Sequence, residues 1–184
     1  MLETIDAWDK SVVLWVNEMH HPTADFLMKW ASHTGIWIPF YVFLLYLLIK
    51  VYGRKSVFYI VGITLVVVLS DQITSSLMKP FFERLRPCHV SAWENVLHLP
   101  AGCGGKYGFA SSHAANTFGL AMFWWLALRK HYRFIYLLFG WAGVVSFSRI
   151  YLAAHYPTDV IVGGLVGMLS AYIVYKIPEK IFKI

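Results

Sequence analysis

The chain has 184 residues, of which 58% are hydrophobic and only 14% are charged. Soluble domains carry about 25% charged residues, so this composition excludes both a soluble globular domain and a disordered chain. The net charge of +6 does not indicate a nucleic-acid-binding module, because the basic residues are too sparse to form a stripe. We therefore expect residues 1–184 to form one all-α integral membrane domain.

The first 34 residues mix apolar and charged side chains. Residues 2–17 and 24–30 place Leu, Ile and Val among Asp, Glu and Lys, which favours amphipathic helices lying on the membrane surface. A sixth span formed from this region is the alternative. The segment lacks the long apolar core and small-residue cleavage site of a secretory leader, so no cleaved signal peptide is expected.

Five stretches that are nearly free of charged residues follow this region. A helix needs about 20 residues to cross the hydrocarbon, and three of the five reach or approach that length. They predict a bundle of five transmembrane helices, or six with the N-terminal region. Asp71 follows the second stretch and is predicted to be structural, bonded to a Ser or Thr of a neighbouring helix. The stretches are 30–49, 56–70, 107–128, 134–148 and 160–175.

Small residues in the last stretch predict close packing between helices. Gly163, Gly164 and Gly167 have the small-xxx-small spacing that brings two helix backbones together in membranes. We therefore expect this helix to lie against another helix of the bundle.

The basic residues between the stretches predict an orientation. With five spans, three clusters fall on one side of the membrane, which the positive-inside rule assigns to the cytoplasm. The C-terminus is then cytoplasmic, and loop 79–110 and turn 149–159 lie outside. The clusters are Lys50, Arg54 and Lys55; Arg129, Lys130 and Arg133; and Lys176, Lys180 and Lys183.

The external loop contains both cysteines of the chain, Cys88 and Cys103. An oxidising external compartment would permit a disulfide between them, which the chain-entropy model values at roughly 3 kcal/mol. Two unrelated free thiols are the alternative. Two cysteines without a matched pair of histidines do not predict a zinc site, and no metal or cofactor is expected.

Three span ends bring cations, hydroxyls, two histidines and a carboxylate to the outer face. Arg offers a rigid fork for phosphate oxygens and Lys a compact positive charge. A helix N-terminus capped by serine also favours an anion. Each residue alone is more typical of an anchor or a cap, so the prediction depends on their combination. The residues are Lys79, Arg84, Arg86, Ser111, Ser112, His113, Arg149, His155 and Asp159.

This inventory predicts phosphoryl-transfer chemistry that uses fixed cations in place of a metal. His155 can act as nucleophile or base, Asp159 can orient its ring, and His113 can protonate a leaving oxygen. Arg84 can guide anionic headgroups or be solvated, and we expect it to be solvated.

The spacing of these residues resembles the signature of the type 2 phosphatidic acid phosphatase (PAP2) family. Lys79-x6-Arg86-Pro87 and Ser148-Arg149-x5-His155-x3-Asp159 match the first and third motifs. The second motif departs from the usual Pro-Ser-Gly-His, because Ala110-Ser111-Ser112-His113 stands in its place. The departure affects the backbone around the Ser112 amide and leaves the serine and histidine in position.

The resemblance implies a PAP2-like helical bundle and a role for each motif residue. Lys79, Arg86 and Arg149 would hold the phosphate oxygens together with Ser111 and the Ser112 amide. His155 would attack phosphorus and form a phosphohistidine. Asp159 would orient His155, and His113 would protonate the departing oxygen. The family needs no metal.

We therefore expect a lipid phosphatase or diphosphatase in a bacterial inner membrane, with its active site on the periplasmic side. The substrates considered are undecaprenyl diphosphate, lipid A, phosphatidylglycerol phosphate and phosphatidic acid, and the small size of the chain favours the first two. The bilayer and the lipid substrate are the only partners expected, with no nucleic acid and no obligatory protein. One alternative is a transporter or flippase-like protein that binds lipid phosphates without hydrolysis. Another is a vanadate-dependent haloperoxidase, which the predicted spans disfavour.

Overall fold

The structure is a computed structural model that describes residues 2–182, with side chains for residues 3–176. The side chain of Lys180, and Lys183, which belong to the third predicted basic cluster, lie outside the described residues. The described part is helical and contains no strand, which confirms the all-α prediction. Its α-helices are α1 (Leu2–Glu18), α2 (Pro22–Ser32), α3 (Ile38–Tyr52), α4 (Ser56–Asp71), α5 (Lys79–Phe82), α6 (Ser112–Leu128), α7 (Leu137–Tyr151) and α8 (Pro157–Phe182).

Three helical stretches among the described residues are long and apolar enough to cross a membrane: Thr34–Phe82, Arg133–Tyr151 and Pro157–Lys176. The first has 49 residues and contains both α3 and α4, which are separated by a turn at Gly53. Gly53 has φ +52°, a conformation that suits glycine. α6 has 17 residues and is therefore about 25 Å long. The number of spans, five or six, stays a prediction.

α6 lies at the centre of the bundle and packs against α4, α7 and, most extensively, α8. The contact with α8 depends on glycine. A Cβ atom added at Gly167 would overlap the backbone carbonyl of Ala115, and one at Gly163 would overlap that of Ser111. Gly164 lies against the ring of Phe118. This packing confirms the prediction made from the small residues of α8.

α4 continues through a π-helical stretch, Gln72–Met78, into the short α5. π-helical turns are rare and occur frequently at functional sites. The stretch carries Thr74 and Ser75 and ends directly before Lys79. It therefore brings three polar side chains to the start of α6.

The two N-terminal helices are amphipathic and pack against the bundle. Val13 and Val16 of α1 are buried against Tyr151 and Leu152, at the end of α7, and against Tyr156. Trp15, on another face of α1, is exposed. α2 packs along α7, and these contacts place both helices beside the turn that joins α7 to α8.

The connection from α5 to α6 covers the same end of the bundle. It contains two short 3₁₀ turns, Pro87–His89 and Ser91–Trp93. Cys88 and Cys103 form a disulfide with a Cα–Cα distance of 5.8 Å. The Cys88 amide donates to the carbonyl of Ala153 at 3.2 Å, which fastens this loop to the α7–α8 turn.

Candidate active site

The structure brings the three predicted motifs together at one end of the bundle. The first runs from the start of α5 into the following loop, the second forms the N-terminus of α6, and the third forms the α7–α8 turn. The backbone amide of Ser111 donates to the carbonyl of Asp159 at 2.9 Å, so the second and third motifs are joined directly. Residues far apart in sequence thus form one cluster.

His155 and Asp159 lie at the centre of this cluster, and both are almost completely buried. Nδ1 of His155 is 3.5 Å from Oδ2 of Asp159, which is longer than an ordinary hydrogen bond. Nδ1 of His155 has no closer partner among the described residues. A side chain on Gly108 would press against this pair, since an added Cβ would lie 3.0 Å from Oδ2 of Asp159. Glycine therefore leaves the room that the pair needs.

Burial fixes the protonation state of His155. Desolvation of the charged ring lowers the pKa of His155 to about 4, although Asp159 opposes the shift. The pKa of an ordinary histidine is about 6.5. The imidazole is therefore neutral at physiological pH and keeps the lone pair that a nucleophile requires.

The N-terminus of α6 carries both serines of the second motif. Ser111 is the N-cap, and its hydroxyl accepts from the amide of Ala114 at 3.4 Å, which confirms the predicted cap. The hydroxyl of Ser112 contacts Thr74 and Ser75 at 2.9 Å each and accepts from Nζ of Lys79 at 2.7 Å. The residue that departs from the usual glycine therefore holds the motif lysine in place.

The two motif arginines come from different elements: Arg86 lies in the connection from α5 to α6, and Arg149 lies near the end of α7. Nε of Arg86 donates to the carbonyl of Tyr107 at 3.2 Å. Nη1 of Arg149 donates to the hydroxyl of Ser32, while Nε of Arg149 is buried without a partner among the described residues. Lys79, Arg86 and Arg149 interact electrostatically with one another and repel. Such a cluster favours an anion that neutralises its charge.

A cavity of about 440 Å³ adjoins the site at the N-terminus of α6. Ser112 and His113 lie at its polar end, and Ser32 also lines it. Its other walls are mostly apolar and come from the end of α2, the 3₁₀ turn Thr34–Trp37, α3, α4, α6 and α7. The largest of these wall residues are Trp37, Tyr41, Leu45, Ile63, Leu120 and Trp124.

Two residues of the site, Asp9 and Ser32, were not predicted from the sequence, and neither was the bridging role of Arg84. Arg84 was expected to be solvated, and this was wrong. Its guanidinium binds Asp159 at 2.8 Å and Asp9 at 2.7 Å. Asp9 shares a helix face with the apolar Val13 and Val16, at spacings of four and seven residues. That position predicts burial and was the available signal.

The predicted partner of Asp71 was also wrong. Its Oδ1 accepts from the hydroxyl of Ser75 at 3.2 Å, one turn further along the same helical stretch. The π-helical turn carries Ser75 toward Ser112 and Lys79. Asp71 is thus connected to the site through Ser75.

Within the described residues, one group of three side chains has atoms close enough to bind a metal ion: Cys88, His89 and Cys103. The two cysteines are joined in the disulfide and cannot supply thiolates. This group therefore does not fit a metal ion.

Comparison with known proteins agrees with the geometry. The lipid A 4'-phosphatase of Bacteroides thetaiotaomicron is 34% identical over 98% of this chain and 81% of its own length. That of Porphyromonas gingivalis is 32% identical over 96% and 75%. The crystal structure of a transmembrane PAP2-type phosphatidylglycerolphosphate phosphatase from Bacillus subtilis has the same fold, with a TM-score of 0.72 at 21% identity, over 97% of this chain and 88% of that one. The PAP2 superfamily model matches residues 58–183, a range that contains all three motifs, and the chain belongs to this superfamily.

Proposed function

We propose that the chain is an integral membrane phosphatase that removes phosphate from a lipid, with lipid A as the substrate class. One observation carries the phosphatase activity: a buried, neutral histidine lies beside a carboxylate at a cluster of three cations with an unpartnered donor. This arrangement binds a phosphate group and presents a nucleophile to it. Transport would not require His155 and Asp159 to be buried together.

The positions of the two histidines support a mechanism with a covalent intermediate. Asp159 faces Nδ1 of His155, so Nε2 attacks phosphorus, and the bond from phosphorus to the lipid oxygen breaks. With the phosphate anion bound beside it, His113 is present as the imidazolium and gives its proton to that oxygen, which leaves on the lipid alcohol, while the phosphoryl group stays on His155 as a phosphohistidine. Water then attacks the phosphohistidine, His113 accepts the proton from the water, and inorganic phosphate leaves with His155 restored.

The cations and the helix N-terminus stabilise the charge that develops during both steps. Lys79, Arg86 and Arg149 bind the phosphate oxygens, and the amide of Ser112 donates at the positive end of α6. Nε of Arg149 has no other partner among the described residues. The cations fulfil the role that a metal has in other phosphatases.

The leaving group determines which substrates fit. His113 adjoins the cavity of about 440 Å³, so the part of the substrate that departs from phosphorus enters a largely apolar space inside the bundle. A lipid whose headgroup continues into acyl chains suits this space. The two lipid A 4'-phosphatases, similar along almost the whole chain, favour lipid A over undecaprenyl diphosphate, phosphatidylglycerol phosphate and phosphatidic acid.

We also propose that the site faces the periplasm of a bacterial inner membrane. Arg129, Lys130 and Lys176, from two of the predicted cytoplasmic clusters, line one cavity. That cavity lies at the end of α6 opposite to Ser112. The disulfide lies at the active-site end, as expected for an oxidising compartment.

The test is a phosphate-release panel with purified protein in detergent. We expect release from lipid A that exceeds release from the other three lipids, that survives EDTA and that is abolished in His155→Ala. His131→Ala is the matched control, because His131 lies at the opposite end of the bundle and should leave the activity unchanged. Rapid quenching with ³²P-labelled substrate should place acid-labile label on His155. Binding of lipid phosphates without any release would support the transporter instead.

A further inference from the structure

Arg84 connects the N-terminal helix α1 to the carboxylate beside His155. Its Nη1 donates to Oδ1 of Asp159 at 2.8 Å, and its Nη2 donates to Oδ2 of Asp9 at 2.7 Å. The guanidinium also stacks over the ring of Tyr156, with Cζ 4.1 Å from the ring centre. One side chain therefore holds two carboxylates from opposite ends of the sequence.

The two oxygens of Asp159 have different partners. Oδ1 accepts from Arg84, and Oδ2 accepts from the amide of Tyr156 at 3.0 Å and faces Nδ1 of His155 at 3.5 Å. Arg84 and the Tyr156 amide thus fix the rotation of the carboxyl group. The orientation of the His155 ring depends on that rotation, because no described group other than Asp159 is placed to bind Nδ1.

Asp9 holds Arg84 and the start of α8 in place at the same time. Its Oδ1 accepts from the amide of Thr158 at 3.0 Å, and its Oδ2 accepts from the Thr158 hydroxyl. The same hydroxyl accepts from Nη1 of Arg84 at 2.8 Å. Asp9 is fully buried, and a buried carboxylate is retained only where it is paired and hydrogen-bonded.

The charges show why neither Asp9 nor Arg84 is a simple surface anchor. Two buried carboxylates, Asp9 and Asp159, share the Arg84 guanidinium. Burial lowers the pKa of Arg84, but the two carboxylates outweigh this effect and raise it. Asp6, one turn earlier on α1, is half exposed, pairs with Lys10 and lies 3.7 Å from Nη2 of Arg84. It carries the same charge near Arg84 without the burial.

We propose that Asp9 and Arg84 are positioning residues of the nucleophilic centre: Asp9 fixes Arg84, Arg84 fixes the carboxylate of Asp159, and Asp159 sets the ring of His155. The inference rests on the proposed function, since it assigns His155 as the nucleophile. It makes α1 a part of the active site, although α1 lies outside the three motifs and outside residues 58–183.

The test compares Asp9→Asn with Asp6→Asn in phosphate-release kinetics. A displacement of about 1 Å in a reacting group can cost about 100-fold in rate, so we expect Asp9→Asn to lower kcat between about 10- and 100-fold. KM should stay within about threefold, because the cations that bind phosphate are untouched. Arg84→Lys keeps the charge but loses the fork that reaches both carboxylates, and it should also lower kcat. Asp6→Asn should change neither constant by more than about twofold.

A double-mutant cycle separates positioning from a general structural effect. If Asp9 acts through Asp159, then Asp9→Asn should have little further effect on kcat in the Asp159→Asn background. All rates are measured below the unfolding temperature of each variant, which guards against loss of folded protein; Arg84→Lys serves if Asp9→Asn is unstable. Additive losses, or an unchanged kcat in Asp9→Asn and Arg84→Lys, would overturn the inference alone. Wild-type protein that releases no phosphate would overturn the proposed function and this inference with it.

Discussion

The site has two sides that differ in how the sequence encodes them. The motif side, residues 79–159, carries histidines, arginines and serines at fixed spacings. The N-terminal side, formed by α1 and α2, contributes Asp9 and Ser32, which belong to no motif. Residue identity reveals the motif side, whereas the N-terminal side acquires its role only by packing against α7 and the α7–α8 turn. The difference shows that a sequence signature identifies the residues that react and bind phosphate, but not all of the residues that hold them in position.

The largest effect is expected from disturbing the close contact between α6 and α8, which positions the motif side. Gly167→Ala places a Cβ atom on the carbonyl of Ala115. This overlap involves backbone atoms, so a change of side-chain rotamer cannot relieve it. α6 and α8 must separate, which displaces Ser111 and Asp159 together. We expect a loss of at least about 2 kcal/mol, measured as a lower unfolding temperature in detergent, together with lost activity.

Gly143→Ala is the matched control for this prediction. Gly143 lies in α7, and an added Cβ would meet nothing within 4 Å. Alanine is the better helix former by up to about 1 kcal/mol, so this variant should be as stable as the wild type or more stable. Equal stability of the two variants would contradict the packing role of Gly167.

The second prediction tests the protonation of His155 on the motif side. Since the pKa of His155 is lowered to about 4, the ring is neutral above that pH and protonated below it. Protonation removes the nucleophile, so kcat/KM for an activated aryl phosphate, whose leaving oxygen needs no proton from His113, should fall tenfold for each pH unit below about 4. The second ionisation of the substrate phosphate is determined separately by ³¹P NMR and subtracted. If the corrected kcat/KM instead begins to fall below about pH 6.5, His155 is solvated in the free enzyme.

The sequence predicted the motif side because membrane helices make charge scarce and therefore informative. The sequence alone predicts Lys79, Arg86, His113, Arg149 and His155 as candidate site residues. The same reasoning failed for Arg84, because a cation in a polar loop between helices is usually solvated. Its two partners become evident only when α1 and α8 meet.

The N-terminal side was described correctly at the level of its helices and incompletely at the level of its contacts. The mixed composition of residues 1–34 predicted amphipathic helices, and α1 and α2 have this character. Ser32 carries no signal in the sequence, because a lone serine at a helix end is normally a solvated or capping group. Its contacts with Arg149 and His113 depend on how α2 lies along α7.

The third prediction concerns a variant that weakens the contacts of the N-terminal side and leaves the motif residues unchanged. Asp25 of α2 accepts from the hydroxyl of Tyr151 and from Nε2 of His98 at 2.7 Å each. Asp25→Asn removes the charge from both bonds and should lower the free energy of unfolding by about 1–3 kcal/mol. The measurement is thermal unfolding in detergent at pH 7, with Glu18→Gln as the control, because Glu18 is exposed near the end of α1.

The pH dependence of this effect has a definite sign. Burial raises the pKa of Asp25, but the hydrogen bonds with Tyr151 and His98 outweigh it, and the net pKa is lowered. The stabilisation is therefore complete above the unfolded pKa of about 3.9 and is lost as the pH falls through the folded value. The difference between wild type and Asp25→Asn should shrink in acid. A difference that persists at low pH would show that the variant acts through something other than charge.

The smallest effect is expected from Ser32, where the two sides meet. Nη1 of Arg149 donates to its hydroxyl, and the ring of His113 bonds to its backbone. Nε of Arg149 stays unpartnered, so the arginine can bind phosphate through Nε while Ser32 holds Nη1. Ser32→Ala keeps the backbone contact of His113 and removes only the restraint on the guanidinium. We expect KM to rise about three- to tenfold, since a typical hydrogen bond contributes about 0.5–1.5 kcal/mol, with kcat unchanged. Arg149→Lys should have a far larger effect, and a fall in kcat of Ser32→Ala equal to its rise in KM would instead place the hydroxyl in the chemical step.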